Sequence, residues 1–168
     1  MQQDGKEKGK QMLYSDIMCI DGVKFLVTLC KLLQLTLQCK IESETQGVLS
    51  LALHGQLELL HSRGFIPTMV CMNPQSAFRS LMTQHPGVVI DIGGAGYYVS
   101  KVDAKIRRIK ELYRSMKPGL PWKLLPSLVK DLATYVTVQL NIRCTKALNR
   151  NICLKVLFTG LRSTIRRI

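Results

Sequence analysis

The sequence predicts an α/β domain in which a five-stranded mixed sheet, three antiparallel strands followed by two parallel ones, is flanked by helices. Three observations lead there. An Asp-Gly pair joins two short runs rich in β-branched and aromatic residues, which is hairpin chemistry. A succession of helix, strand, short helix and strand with brief connections implies parallel pairing and a sheet covered on its faces. Two amphipathic helical patterns then follow, separated by a Lys-Pro-Gly-Leu-Pro break that no helix can run through.

Residues 1–12, opening MQQDGKEKGK, read as a polar head with too little apolar surface to order it. The hairpin comes next: YSDIMCI, then Asp21-Gly22, which tolerates the positive φ of a tight turn, then VKFLVTLC. In LQLTLQCKI, Leu35, Leu37 and Cys39 alternate with Thr36, Gln38 and Lys40, as on an edge or half-buried strand. From Glu44 to Ser62 the period changes to three and four. Val48, Leu51, Ala52, Gly55 and Leu59 form the expected helical stripe, and Gly64 is the stop. FIPTMVCM returns to strand chemistry, Pro74 opens a short helix through Leu81, and GVVIDI is a continuous apolar strand. Gly93, Gly94 and Gly96 make the next loop flexible. A helix is predicted over Val99 to Met116 with Val102, Ile106, Ile109, Leu112 and Tyr113 on one side, and a second over Pro126 to Ile142. A last turn of helix is expected around Lys155 to Leu161. Residues 13–117 thus form the core unit, and the basic segment 118–168 completes it.

A chain of 168 residues with 46% hydrophobic content can bury one core without metal or disulfide staples. No apolar run approaches the roughly 18 residues of a membrane-spanning helix, and the polar start is unlike a signal peptide. The expectation is therefore no membrane partner and a nuclear or cytoplasmic location. Six cysteines, Cys19, Cys30, Cys39, Cys71, Cys144 and Cys153, lie scattered with no CxxC pair, and read as buried, reduced thiols. His54, His61 and His85 read as surface or half-buried side chains. Charge is uneven: residues 1–100 hold 8 Lys+Arg and 8 Asp+Glu, whereas 101–168 hold 16 and 3. The entire net charge of +13 thus belongs to the last part of the chain, which favours a polyanionic partner, nucleic acid above all. A merely solvated basic face is the plainer alternative.

Particular residues sharpen the element order into a resemblance. SDIMCIDGVKFLVTL places Asp16 on the first strand; NPQSAF puts Asn73 at the end of the fourth; DAKIRRIK puts Asp103 at the start of the helix after the glycine loop. Later, LPWKLLPSLVKDLATYVTVQLNIRCTKAL carries Leu140-Asn141, and Thr159-Gly160 follows. The whole, from about Tyr14 to Arg162, resembles the ribonuclease-H-like catalytic core of integrases, those of copia-type retrotransposons in particular. The resemblance implies that Asp16, Asn73 and Asp103 stand at the positions of the family's three catalytic and metal-binding carboxylates. It departs from the family pattern twice: Asn73 replaces an Asp, and Asp103 replaces a Glu. Each residue also has a local reading, since Asp16 could simply lie on a strand, Asn73 could cap a helix opened by Pro74, and Asp103 could pair with Arg107. Asp91, at the end of its strand, is a substitute ligand of lower standing.

Chemistry explains why the family needs those residue types. Three carboxylates converging from two strands and a helix can hold Mg²⁺ or Mn²⁺ ions, which favour hard oxygen ligands and assist displacement at a phosphodiester. An amide at position 73 still offers oxygen but no charge. Asp103 is one methylene shorter than Glu, retracting its carboxylate by on the order of 1.5 Å. The resemblance therefore implies a decayed copy: nucleic-acid binding, to DNA or RNA, with metal binding and strand transfer or nicking weakened or lost. A non-enzymatic nucleic-acid-binding or interaction module on the same fold is the alternative. Lys101, Lys105, Arg107, Arg108, Lys110, Arg114 and Lys117 are the candidate phosphate contacts, sequence-independent and salt-sensitive. Tyr97, Tyr98 and Trp122 are the nearby aromatic planes, Trp122 more naturally a core residue. Pairing of family members through their helices implies a homodimer.

Overall fold

A computed structural model of the chain describes residues 10–72, 87–92, 99–120 and 124–142. Five strands, β1 (Lys10–Ile20), β2 (Val23–Cys30), β3 (Thr36–Ile41), β4 (Ile66–Met72) and β5 (Val89–Ile92), form one sheet in the order β3-β2-β1-β4-β5. β1 pairs antiparallel with β2 and β2 with β3, while β1 with β4 and β4 with β5 are parallel. Helix α1 (Gln46–Ser62) packs on one face; α2 (Val99–Met116) and α3 (Pro126–Ile142) pack on the other. A single 3₁₀ turn, Lys117–Gly119, ends α2 where Pro118 removes a backbone donor.

Strand alternation divides the core in two. Leu13, Leu26, Val70, Met72 and Ile90 face α1 and meet its Leu49, Leu53, Leu57 and Leu60. Tyr14, Met18, Phe25, Val27 and Cys71 face the opposite way, onto Val102, Ile106, Ile109 and Tyr113 of α2 and Val129, Ala133 and Val136 of α3. The strand of most consequence, β1, is central and lined by apolar side chains on both faces. At its end Asp21 and Gly22 take φ of 46° and 79°, the left-handed pair expected of the hairpin. Gly64, at φ 79°, closes α1: its N–H donates to the His61 carbonyl at 2.9 Å and that of Phe65 to the Leu60 carbonyl at 3.0 Å, a Schellman ending that satisfies the last carbonyls.

Two polar devices fix the layers. On the α1 side, Ser15 Oγ lies 2.6 Å from Thr28 Oγ1, Thr28 donates to Gln56 Oε1, and Gln56 Nε2 donates to the Leu26 carbonyl at 3.1 Å. Because Thr28 spends its one proton on Gln56, Ser15 must be the donor to Thr28. On the other side, Asn141 of α3 treats the edge strand β3 as a neighbouring strand would. Its Oδ1 accepts the Thr36 N–H at 2.9 Å and its Nδ2 donates to the Thr36 carbonyl at 2.7 Å.

Three expectations need correction. The stripe assigned to α1 was Val48, Leu51, Ala52, Gly55 and Leu59, but Leu51 is 74% exposed and the buried stripe is Leu49, Ala52, Leu53, Gln56, Leu57 and Leu60. This helix is leucine-rich all round, so two rival stripes exist, and the better one accepts a buried glutamine that Thr28 and the Leu26 carbonyl satisfy. The polar head does not extend to residue 12: β1 begins at Lys10, where β4 supplies the pairing partners Ile66 and Pro67. The cysteines are not uniformly buried either. Cys30 and Cys71 are, but Cys39 is half-buried and Cys19, one residue from the end of β1, is exposed. All four of these are free thiols, and burial pushes that of Cys30 up to about 12. His54 and His61 are on the surface as expected. The short helix from Pro74, the turn near Lys155, His85, Cys144 and Cys153 lie outside the described residues. No helix among the described residues is long and apolar enough to cross a membrane.

The two stripes of α1 separate experimentally. Leu53→Ala, which empties a fully buried position, should cost about 2–5 kcal/mol in urea unfolding, while Leu51→Ala should stay within about 0.5 kcal/mol. Equal losses would put the wrong face against the sheet.

Candidate functional site

Asp16 sits in the middle of β1 on the face that looks toward α2, only 7% exposed. Its Oδ1 accepts the N–H of Ile17 at 2.8 Å, which holds the carboxylate against its own strand. Asp103 lies in the second turn of α2, half-buried, near enough to Asp16 for its charge to act on that carboxyl. The apposition follows from the packing. Val102 and Ile106 of α2 bury into the cluster containing Tyr14 and Met18, the residues on either side of Asp16 on the same β1 face, and Asp103 stands beside Val102.

Burial, above all, raises the Asp16 carboxyl above its ordinary 3.8; the Ile17 N–H works against this, the neighbouring Asp103 adds to the rise, and Lys110 opposes it. The acidic pair is thus an electrostatically frustrated spot at the centre of an otherwise apolar layer.

Asn73 lies outside the described residues, as do Gly93, Gly94, Gly96, Tyr97, Tyr98 and Trp122. The β1–β4 register ends with Ser15 opposite Met72; in sequence, Asp16 follows Ser15 and Asn73 follows Met72. Asp91 is in line with Cys71, itself in line with Tyr14, so it sits two strands from β1, about 10 Å to the side of it. That is too far to share one cation with Asp16. Its charge instead joins burial in raising the Cys71 thiol. Among the described residues no group of three or more His, Cys, Asp or Glu is placed to hold a metal ion. The site they do contain is the pair of carboxylates.

The cations of α2 fall into two rows. Asp103, Arg107, Lys110 and Arg114 recur at steps of four, three and four, so they share one flank of the helix; Lys101, Lys105 and Arg108 share the other. The buried stripe Val102, Ile106, Ile109 and Tyr113 runs between them. Arg107 and Arg114 are exposed and Lys110 half-buried, all three on the acidic pair's flank. On the opposite flank Lys101 lies over the Tyr14 ring at 5.8 Å, Arg108 is 3.2 Å from Glu111, and burial lowers Lys105 from its ordinary value. Lys117 is not aimed outward: its Nζ is 2.6 Å from Asp21 Oδ2, which also accepts the Tyr113 hydroxyl at 2.9 Å. The Asp21 contacts were missed in the sequence because Asp-Gly is already fully explained as a turn. A small cavity of about 130 Å³ adjoins them, lined by Cys19, Ile20, Lys110 and Arg114 among others.

No protein-family model matches the sequence, and no curated protein sequence matches it. Among solved structures the chain is similar to the catalytic core domain of BIV integrase, with a TM-score of 0.62 at 13% identity over 80% of this chain and 85% of that one. The fold is accordingly that of a ribonuclease-H-like integrase core: a mixed sheet of three antiparallel and two parallel strands with helices on both faces.

The raised Asp16 carboxyl has a stability consequence whose sign is fixed. Above pH 3.8 the unfolded chain releases a proton that the folded chain still holds, so stability falls as pH rises from 3.8 through the higher folded value. In chelator, Asp16→Asn should therefore melt higher than the parent at pH 7, with the two converging below pH 3.8. A variant that melts lower at pH 7 would contradict the burial penalty on the Asp16 carboxylate.

Proposed function

We propose that this chain is a nucleic-acid-binding domain derived from a copia-type retroelement integrase core, whose metal-dependent phosphodiester chemistry is weakened by Asn73. The observation that carries the reading is the meeting of Asp16 and Asp103 on a fold of this kind. These two side chains offer what a hard divalent cation takes: carboxylate oxygens, adjacent, one from a rigid strand and one from a helix. Asp16 and Asp103 would hold Mg²⁺ or Mn²⁺, with Asn73 as the uncharged third donor. Such a cation, when bound, activates an attacking oxygen and steadies a leaving one.

The rest of the work falls to the chain. Arg107, Lys110 and Arg114 draw a phosphate backbone along the flank of α2 that carries Asp103, and Asp16, fixed by the Ile17 N–H, presents the same oxygen each time. Lys101, Lys105, Arg108 and Lys117 belong to the basic surface but are turned to the other flank or held by Asp21. Without the third negative charge, the affinity of the site for a divalent cation falls while the electrostatic attraction for nucleic acid is untouched. A homodimer is part of the reading, supported by Leu51 and Leu59, which are exposed on α1 beside a groove of about 500 Å³ along β3. The second reading, a binding module with no catalysis, is favoured by Asn73 itself.

Two measurements test this. Asn73→Asp should raise Mg²⁺- or Mn²⁺-dependent nicking or joining of DNA by at least about tenfold, on the scale of one misplaced catalytic group, and Asp16→Ala should abolish the gain. No gain from the restored carboxylate would leave the binding module. For binding, Arg107→Ala and Arg114→Ala should each weaken DNA affinity about equally on all sequences and reduce the salt slope by about 1. An unchanged slope would remove α2 from the interface.

A further inference from the structure

The acidic pair poses a mechanical problem. Asp16 and Asp103 repel, and the repulsion acts on α2 near its N-terminal end. The apolar contacts of Val102, Ile106, Ile109 and Tyr113 hold that helix to the sheet by an attraction that has no direction of its own. At the far end the arrangement is the reverse: Asp21, in the β1–β2 turn, receives the Tyr113 hydroxyl and the Lys117 ammonium on the same oxygen, Oδ2. These are directional, charge-assisted contacts.

The two ends are in step. From Asp16 to Asp21 β1 advances about 17 Å, at about 3.3 Å per residue. From Asp103 to Tyr113 α2 advances about 15 Å, at about 1.5 Å per residue. The helix thus runs alongside β1 in the same direction, with Lys101 over Tyr14, Asp103 against Asp16 and Tyr113 against Asp21 in order. Fixing the last contact fixes the axial position of the middle one.

We propose that Asp21 is a positioning residue: by clamping Tyr113 and Lys117 it sets the register of α2 along β1 and so holds Asp103 opposite Asp16. The role rests on the metal-site reading for its functional meaning, though not for its geometry. The turn itself does not require a carboxylate. Glycine or asparagine serves at φ 46° equally well, so the acid is surplus to the hairpin and matched to the helix.

The experiment uses the whole chain with Asp21→Gly, which keeps the turn and removes the acceptor, Tyr113→Phe, which keeps the buried ring and removes the donor, and Asp21→Asn, which keeps an acceptor. Amide hydrogen exchange is followed along α2, and Mn²⁺ affinity is read by electron paramagnetic resonance, with Asp16→Ala defining the specific site. The clamp predicts that Asp21→Gly and Tyr113→Phe raise exchange through residues 102–106, remote from the lost contact, and weaken Asp16-dependent Mn²⁺ binding about tenfold, while Asp21→Asn recovers most of both. Faster exchange confined to residues 113–117 overturns the proposal, because a local structural role would do only that. Unchanged Asp16-dependent Mn²⁺ affinity overturns it as well. Should the parent bind no Mn²⁺ through Asp16, the metal reading fails by itself, and the exchange pattern alone decides the clamp.

Discussion

Two carboxylates held together against their own repulsion are the constraint around which this domain is arranged. Asp16 is buried on the central strand and cannot move away; Asp103 rides on a helix that could. Burying an acid beside a second acid is costly unless a proton or a cation intervenes. The surrounding structure supplies the restraint: apolar side chains from α2 and α3 seal the layer, and Asp21 grips the far end of α2. The spot is unfavourable for stability.

The basic character of the chain acquires direction from the same geometry. Read as composition, the excess of lysine and arginine after residue 100 says only that a polyanion is welcome. Laid on α2, it separates into one row that shares a flank with Asp103 and another turned away, with Lys117 withdrawn into an ion pair. One row of cations therefore lies beside Asp103, the helix's member of the acidic pair.

Much of the fold was legible because its signals were local and unrivalled. The limits of α2 and α3, the Asp-Gly hairpin and the alternation of β3 each had one consistent solution, and Val102, Ile106, Ile109 and Tyr113 could face only one way. The α1 stripe was not legible. Leucines on several faces made two stripes plausible, and the choice was made by Gln56 meeting Thr28 and the Leu26 carbonyl, groups far off in sequence. The pairing of Asp16 with Asp103 could be anticipated only through the likeness to integrase cores, since nothing local links residues on a first strand and a late helix. Asp21 and Asn141 escaped for a related reason: each has an ordinary local explanation, and each does its main work on a partner distant in the chain, Tyr113 and Lys117 in one case and the edge of β3 in the other.

The central claim, that Asp16 and Asp103 together form a place for a divalent cation, is tested most directly by crystals soaked in Mn²⁺ and read by anomalous scattering. The account predicts a peak bridging the two carboxylates at about 2.2 Å from an oxygen of each, vanishing in Asp16→Ala. Carboxylates that point to different surfaces, or a peak that survives the loss of Asp16, would contradict it.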